Sequence, residues 1–198
     1  MFPLPCVLFA GGKSSRMGQD KALLPFGEAP TLAQFQYDRL SRLFQHVAIS
    51  TKTADKFAFD APFILDPPDV DYAPTAGFVS AFDHLNEERI MVISIDTPFI
   101  DATIFQALLD ADEPSRDAVI ATTQSGSHPM VGIYHRSLVP AFEKMLLEKD
   151  HRLGKLLHAS HTRYVPFEDE TLFANLNHPH EYENALSRYN LIHLSISD

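Results

Sequence analysis

The chain has 198 residues, 45% of them apolar, with a formal net charge of −10 and a single cysteine. That length carries one full α/β core, no apolar run approaches the roughly 18 residues of a membrane span, and the acidic balance leaves no basic stripe for a nucleic acid. Cys6 has no partner for an internal disulfide and falls in an apolar run, which suits a core thiol in a reducing cytoplasm; the N-terminus lacks the basic stretch and cleavage site of a secretory signal.

In chain order, apolar runs predict strands at residues 5–10, 47–51, 63–65, 90–95, 118–122, 130–134 and 163–167, and near-3.6 spacing predicts helices at 31–44, 75–85, 102–110, 137–147 and 179–188. Leu32, Phe35, Leu40 and Leu43 carry the first helical stripe, and Phe78, Val79, Phe82 and Leu85 the second. Asp101 and Ser137 are placed as N-caps and Pro179 as a helix start. Residues 1–189 form one domain, and 190–198 are expected as a loose tail. Strand and helix alternate over the first half of the chain. The expected fold is therefore α/β: a Rossmann-like three-layer sandwich with a mostly parallel sheet and helices on both faces. Ligands of such sheets sit at the carboxyl ends of strands. The chemically suggestive segments fall there: 11–21, 50–52, Asp66 and Asp96.

The segment from Phe9 to Lys21 reads Phe-Ala-Gly-Gly-Lys-Ser-Ser-Arg-Met-Gly-Gln-Asp-Lys. Gly11 and Gly12 allow close approach to the backbone, Ser14 and Ser15 offer hydroxyl donors, and Lys13, Arg16 and Lys21 set a local cationic excess in an acidic chain. Such a loop wraps a polyphosphate. It is neither of the two commonest phosphate motifs, because Gly18 is followed by Gln19 rather than Lys, and Gly11-Gly12-Lys13 breaks Gly-x-Gly-x-x-Gly.

Five further residues carry chemistry. Asp96 closes the most apolar strand, where a carboxylate holds a divalent metal against a phosphate or else caps a turn; Pro98 fixes that turn. Asp66 opens Asp-Pro-Pro and a long loop that ends in Ala73-Pro74-Thr75-Ala76-Gly77. His128 begins His-Pro-Met-Val-Gly-Ile-Tyr. Asn175 and Asn177 share one face of an extended segment by period-2 spacing. The ten histidines are scattered without zinc-ligand spacing.

The first of these segments resembles Leu-x-Gly-Gly-x-Ser-x-Arg-Met-Gly-x-x-Lys, the signature of nucleotidyltransferases with a Rossmann-like fold, and its wording is most similar to the molybdenum cofactor guanylyltransferases. The later blocks keep the same order: Asp96-Thr97-Pro98 resembles that family's Cys-Asp-(Thr/Met)-Pro, 73–77 its Gly-Pro-Leu-x-Gly, 128–134 its His-Pro-Thr-x-Ala-(Leu/Ile)-Tyr, and 173–179 its Phe-x-Asn-(Ile/Val/Leu)-Asn-Thr-Pro. The resemblance implies transfer of GMP from GTP to the terminal phosphate of molybdopterin, with Mg²⁺ and release of pyrophosphate. It implies catalytic Arg16, Lys21 and Asp96, with Asp96 on the metal. It further implies a nucleotide site of Phe9, Ala10, Gly11, Gly12, Ser14, Ser15, Lys21, Asp66, Gly77 and Asp96, and an acceptor pocket of His128, Asn175 and Asn177. Lys52 stands where the family has an asparagine near the guanine, Ala73 and Thr75 replace Gly and Leu, and Phe9 replaces a leucine. Cytidylyl transfer to the same cofactor, a sugar- or alditol-phosphate nucleotidyltransferase and a non-catalytic nucleotide-binding protein are the alternatives.

Overall fold

The structure is a computed structural model that describes residues 1–11, 18–67 and 74–194, with only the backbone of 193 and 194. Within the described residues one seven-stranded sheet runs in the order β3-β2-β1-β4-β6-β5-β7. The strands are β1 (Cys6–Phe9), β2 (Val47–Thr51), β3 (Phe63–Leu65), β4 (Arg89–Ser94), β5 (Ala118–Thr123), β6 (Gly126–His135) and β7 (Thr162–Pro166). β3, β2, β1 and β4 pair in parallel. β6 is antiparallel to both β4 and β5, and β7 is parallel to β5.

Side-chain alternation along the strands builds two cores. Cys6, Leu8, Met91 and Ile93 face α1 (Leu32–Ser41), α3 (Ala102–Asp110) and α6 (Pro179–Leu194), while Val7, Phe9, Ile90 and Val92 face α2 (Pro74–Leu85), α4 (Val139–Glu148) and α5 (Leu153–Ala159). Period-2 strands buried on both faces read as continuous apolar runs, which is why they stood out in the sequence. No helix among the described residues is long and apolar enough to cross a membrane.

Several local expectations change. β6 begins at Gly126, four residues earlier than its apolar run, because the β5 register jumps from Ile120↔Gly132 to Ala121↔His128 and the irregularity accommodates Pro129. Asp101 caps α3 as expected, accepting from the N–H groups of Thr103 and Ile104 at 2.9 and 3.2 Å. Ser137 does not cap α4. It lies in a 3₁₀ turn, Arg136–Leu138, and its hydroxyl donates to Asp117 Oδ1 at 2.7 Å. The segment expected as a loose tail at 190–198 starts as helix, since α6 continues to Leu194. α5 was not foreseen; it spans 7 residues and contains Gly154, too short and too weakly propensive to show a period.

What positions the site is the parallel half of the sheet. Its ladder runs on past the strand ends: Ala10 N donates to Ser50 O at 2.9 Å, Asp66 N to Thr51 O at 3.0 Å, and Ile95 N to Phe9 O at 3.0 Å. The carboxyl ends of β1, β2, β3 and β4 thereby form one edge.

Candidate active site

Three sequence-distant residues meet on that edge. The ammonium of Lys21 lies 2.8 Å from Asp96 Oδ2 and 3.1 Å from Asn177 Oδ1. Lys21 and Asp96 are largely shielded, with side chains 15% and 16% exposed. At that depth both charges are partly stripped of water, and the pairing offsets part of that desolvation.

Each partner is held by local structure. Lys21 begins a 3₁₀ turn, Lys21–Leu23, whose N-cap Asp20 accepts from Ala22 N. Asp20 is itself anchored by Lys56 at 2.7 Å. Asp96 follows β4, and its carbonyl accepts from Leu176 N at 3.0 Å, which docks the Asn175–Asn177 segment on the strand end. Glu181, in the first turn of α6, accepts from the N–H groups of Asn177 and His178 at 2.7 and 2.8 Å, a capping-box arrangement that holds Asn177 ahead of the helix. Burial of Leu176 between Asn175 and Asn177 keeps the expected alternation, but only Asn177 reaches Lys21; Asn175 is exposed.

A second cluster lies over β1, β2 and β3. Ser50 Oγ donates to Asp66 Oδ1 at 3.2 Å. Partial burial pushes the Asp66 carboxyl up, opposed by the Ser50 hydroxyl and by the charge of Lys52. A Cβ on Gly11 would lie 3.8 Å from Asp66 Oδ2, so the glycine loop leaves β1 directly beside this carboxylate. Ala10 is buried. Phe9 turns its ring into the core against Phe78, with centroids 4.9 Å apart. Gly77 lies on top of it: a Cβ there would meet Phe9 Cε1 at 2.6 Å and Ser50 Oγ at 2.8 Å. Only glycine lets the start of α2 settle this close to β1 and β2. Two residues earlier, the buried Thr75 hydroxyl meets His151 Nδ1 at 2.8 Å and ties α2 to the turn between α4 and α5.

His128 lies elsewhere on the surface of the sheet, stacked on Phe173 at 4.5 Å and 3.0 Å from the Thr123 hydroxyl. Burial lowers its pKa, partly offset by Glu170. The structure does not bring His128 into the Lys21–Asp96–Asn177 cluster. Gly12, Ser14, Ser15 and Arg16, with Lys13, lie outside the described residues, as does the loop 68–73.

Sequence reasoning missed Gln36. It sits on the same stripe as Leu32 and Leu40, and a polar residue at an apolar position of an amphipathic helix was the available signal. Its amide donates to Ile95 O, next to Asp96.

Residues 6–164 match the MobA-like NTP transferase domain. A molybdenum cofactor guanylyltransferase of Campylobacter jejuni (strain RM1221) is 36% identical over 186 residues, covering 93% of this chain and 96% of the relative. One of Helicobacter pylori (strain G27) is 34% identical over 188 residues, 92% of each chain. The crystal structure of molybdopterin-guanine dinucleotide biosynthesis protein A from Archaeoglobus fulgidus superposes with a TM-score of 0.82 at 20% identity, covering 94% of this chain and 99% of that one, a likeness of fold. The seven-stranded topology, the ordered motif blocks and these relatives agree: the chain belongs to the MobA-like NTP transferase family, and it is a nucleotidyltransferase.

Proposed function

We propose that the protein transfers GMP from GTP to the terminal phosphate of molybdopterin, releasing pyrophosphate and forming the guanine dinucleotide cofactor. The observation that carries this reading is the Lys21 ammonium held between Asp96 and Asn177, residues 75 and 156 positions away in sequence. A phosphate oxygen of the acceptor attacks the α-phosphorus of GTP. The bond from that phosphorus to the bridging oxygen breaks, and pyrophosphate leaves with the electron pair. The acceptor phosphate is already an anion near neutral pH, so no general base is needed. The barrier lies in bringing anions together, which placed cations lower.

In this reading Lys21 contacts the α-phosphate and Arg16 the β,γ-phosphates. Gly11, Gly12, Ser14 and Ser15 offer N–H and hydroxyl donors to the phosphate chain. Asp66, Gly77 and the backbone at Phe9 and Ala10 shape the nucleoside pocket, while Asn175 and His128 belong to the acceptor side. Asp96 and Asn177 offer hard oxygen donors around a position that a cation already fills, which fits Mg²⁺. Among the described residues no group of three His, Cys, Asp or Glu forms a closed cage. The metal would thus be held by Asp96, Asn177 and the nucleotide's own oxygens. When bound, Mg²⁺ supplies charge neutralisation on the phosphates.

Calorimetric titration with GTP, CTP, ATP and UTP in the presence of Mg²⁺ tests the nucleotide assignment. Selective GTP binding, weakened in Asp96→Ala, is expected. A preference for CTP, which Lys52 in place of the family asparagine makes the relevant rival, would move the reading to cytidylyl transfer; binding of none of the four would overturn it.

A further inference from the structure

We propose that the fully buried Gln36 and the partly buried Arg39 on α1 are positioning residues for Asp96: a two-residue clamp that fixes both ends of the 95–100 segment carrying that carboxylate. The proposal rests on the role of Asp96 given above. The Gln36 side-chain amide donates to Ile95 O, the carbonyl immediately before Asp96, at 3.2 Å. Its oxygen accepts from Arg39 Nε and Nη2 at 3.1 and 2.6 Å. Arg39 Nη1 donates onward to Ile100 O. One helix face therefore grips positions 95 and 100, and Asp96 lies between them.

The turn has little other freedom. Thr97 Oγ1 donates to Ser94 O at 2.9 Å, and Leu176 N holds the Asp96 carbonyl. Asp96 is thus held through the preceding carbonyl by α1 and through its own carbonyl by the Asn175–Asn177 segment.

The chemistry of the clamp argues for a positional role. Gln36 is fully buried, and a buried amide is unfavourable unless both its ends are satisfied. Arg39 is a cation whose hydrogen bonds here end on neutral oxygens, Gln36 Oε1 and Ile100 O. Burial lowers its pKa to about 10, so it stays charged at neutral pH. Leucine at position 36 would match the apolar stripe of Leu32 and Leu40. What the polar pair adds is a planar guanidinium whose Nε and Nη2 grip Gln36 Oε1 while Nη1 reaches the Ile100 carbonyl. A displacement of about 1 Å at a reacting centre is enough to lower a rate about a hundredfold.

The test uses Gln36→Glu, which keeps an acceptor for Arg39 but has no N–H for Ile95 O. Arg39→Met and Arg39→Lys accompany it, and Phe44→Leu, at the far end of the sheet, serves as a stability control. Two readouts separate position from folding. The first is the acetylation rate of Lys21 in the nucleotide-free protein, followed by mass spectrometry. Loosening Asp96 weakens its ion pair with Lys21 and raises that rate in Gln36→Glu and Arg39→Met, with Arg39→Lys in between, but not in Phe44→Leu. The second is steady-state transfer, in which kcat falls about tenfold while KM for GTP stays within about twofold. Unchanged Lys21 reactivity in folded Gln36→Glu and Arg39→Met would overturn the clamp. A wild-type protein that transfers no GMP would overturn the function proposed above, and the acetylation readout would still decide the clamp.

Discussion

Replacing Gly77 by alanine is the most quantitative probe of how α2 is seated over the ends of β1 and β2. Its φ is not in the left-handed region, so the penalty is steric. The added Cβ would lie 2.6 Å from Phe9 Cε1, 3.2 Å from Phe9 Cδ1 and 2.8 Å from Ser50 Oγ. Carbon contacts are optimal near 3.5–4.0 Å, so something must move by about 1 Å. The Phe9 ring has no room to yield. It is packed on Phe78 at 4.9 Å, and Phe78 is stacked on Phe142 at 4.5 Å and tilted against Tyr134 at 4.4 Å. The helix start must therefore lift, at about 1–3 kcal/mol for overpacking. For a domain of this size that lowers Tm by about 2–12 °C. Urea unfolding and calorimetry measure the loss, and nucleotide titration measures the expected fall in affinity as α2 moves off the pocket. Phe9→Leu shortens the obstructing ring, so the double variant Gly77→Ala/Phe9→Leu should recover part of the loss, a coupling readable in a double-mutant cycle. Wild-type stability in Gly77→Ala, or strict additivity with Phe9→Leu, would refute the packing argument.

Further outcomes follow from other parts of the molecule. Lys21→Ala should lower transfer by about 10²–10³ at saturating GTP while the protein stays folded, as judged by circular dichroism and initial rates. Asp101→Ala removes the acceptor for two N–H groups of α3 and should destabilise by about 1 kcal/mol in denaturant titration. Burial lowers the pKa of His128, so the unfolded chain takes up that proton first. The resulting stability is fully present above about pH 6.5 and is lost as pH falls toward the folded value; His128→Gln should make stability fall less steeply with acid over that window, measured as Tm against pH.

Much of this was legible in the sequence because β1, β2 and the middle of β4 are buried on both faces. Residues 47–51 and 63–65 read as short apolar runs and became β2 and β3 with the same ends. Asp96 and Asp66 could be picked out because each ends such a run, and the topology then delivers them to one edge. The antiparallel half was harder. β6 starts in Gly-Ser-His-Pro, a turn-like string, and only pairing with β5 through a register shift makes it strand. Ser137 lost the cap position because its hydroxyl has a nearer partner in Asp117, a contact across 20 residues that no local pattern encodes. In the site, the separation of Asn177 from Asn175 depends on docking of Leu176, and the pairing of Gln36 with Ile95 depends on where α1 crosses the sheet. Both are tertiary facts.

The most direct test follows the α-phosphate itself. GTP labelled at that position is incubated with the protein, Mg²⁺ and molybdopterin, with Asp96→Ala and Lys21→Ala in parallel. The label should appear in a guanine dinucleotide with one pyrophosphate released per transfer, and both variants should slow it by about 10²–10³. Label that stays in GTP with molybdopterin present, or transfer that survives loss of either residue, would contradict the assignment of this edge as the catalytic centre.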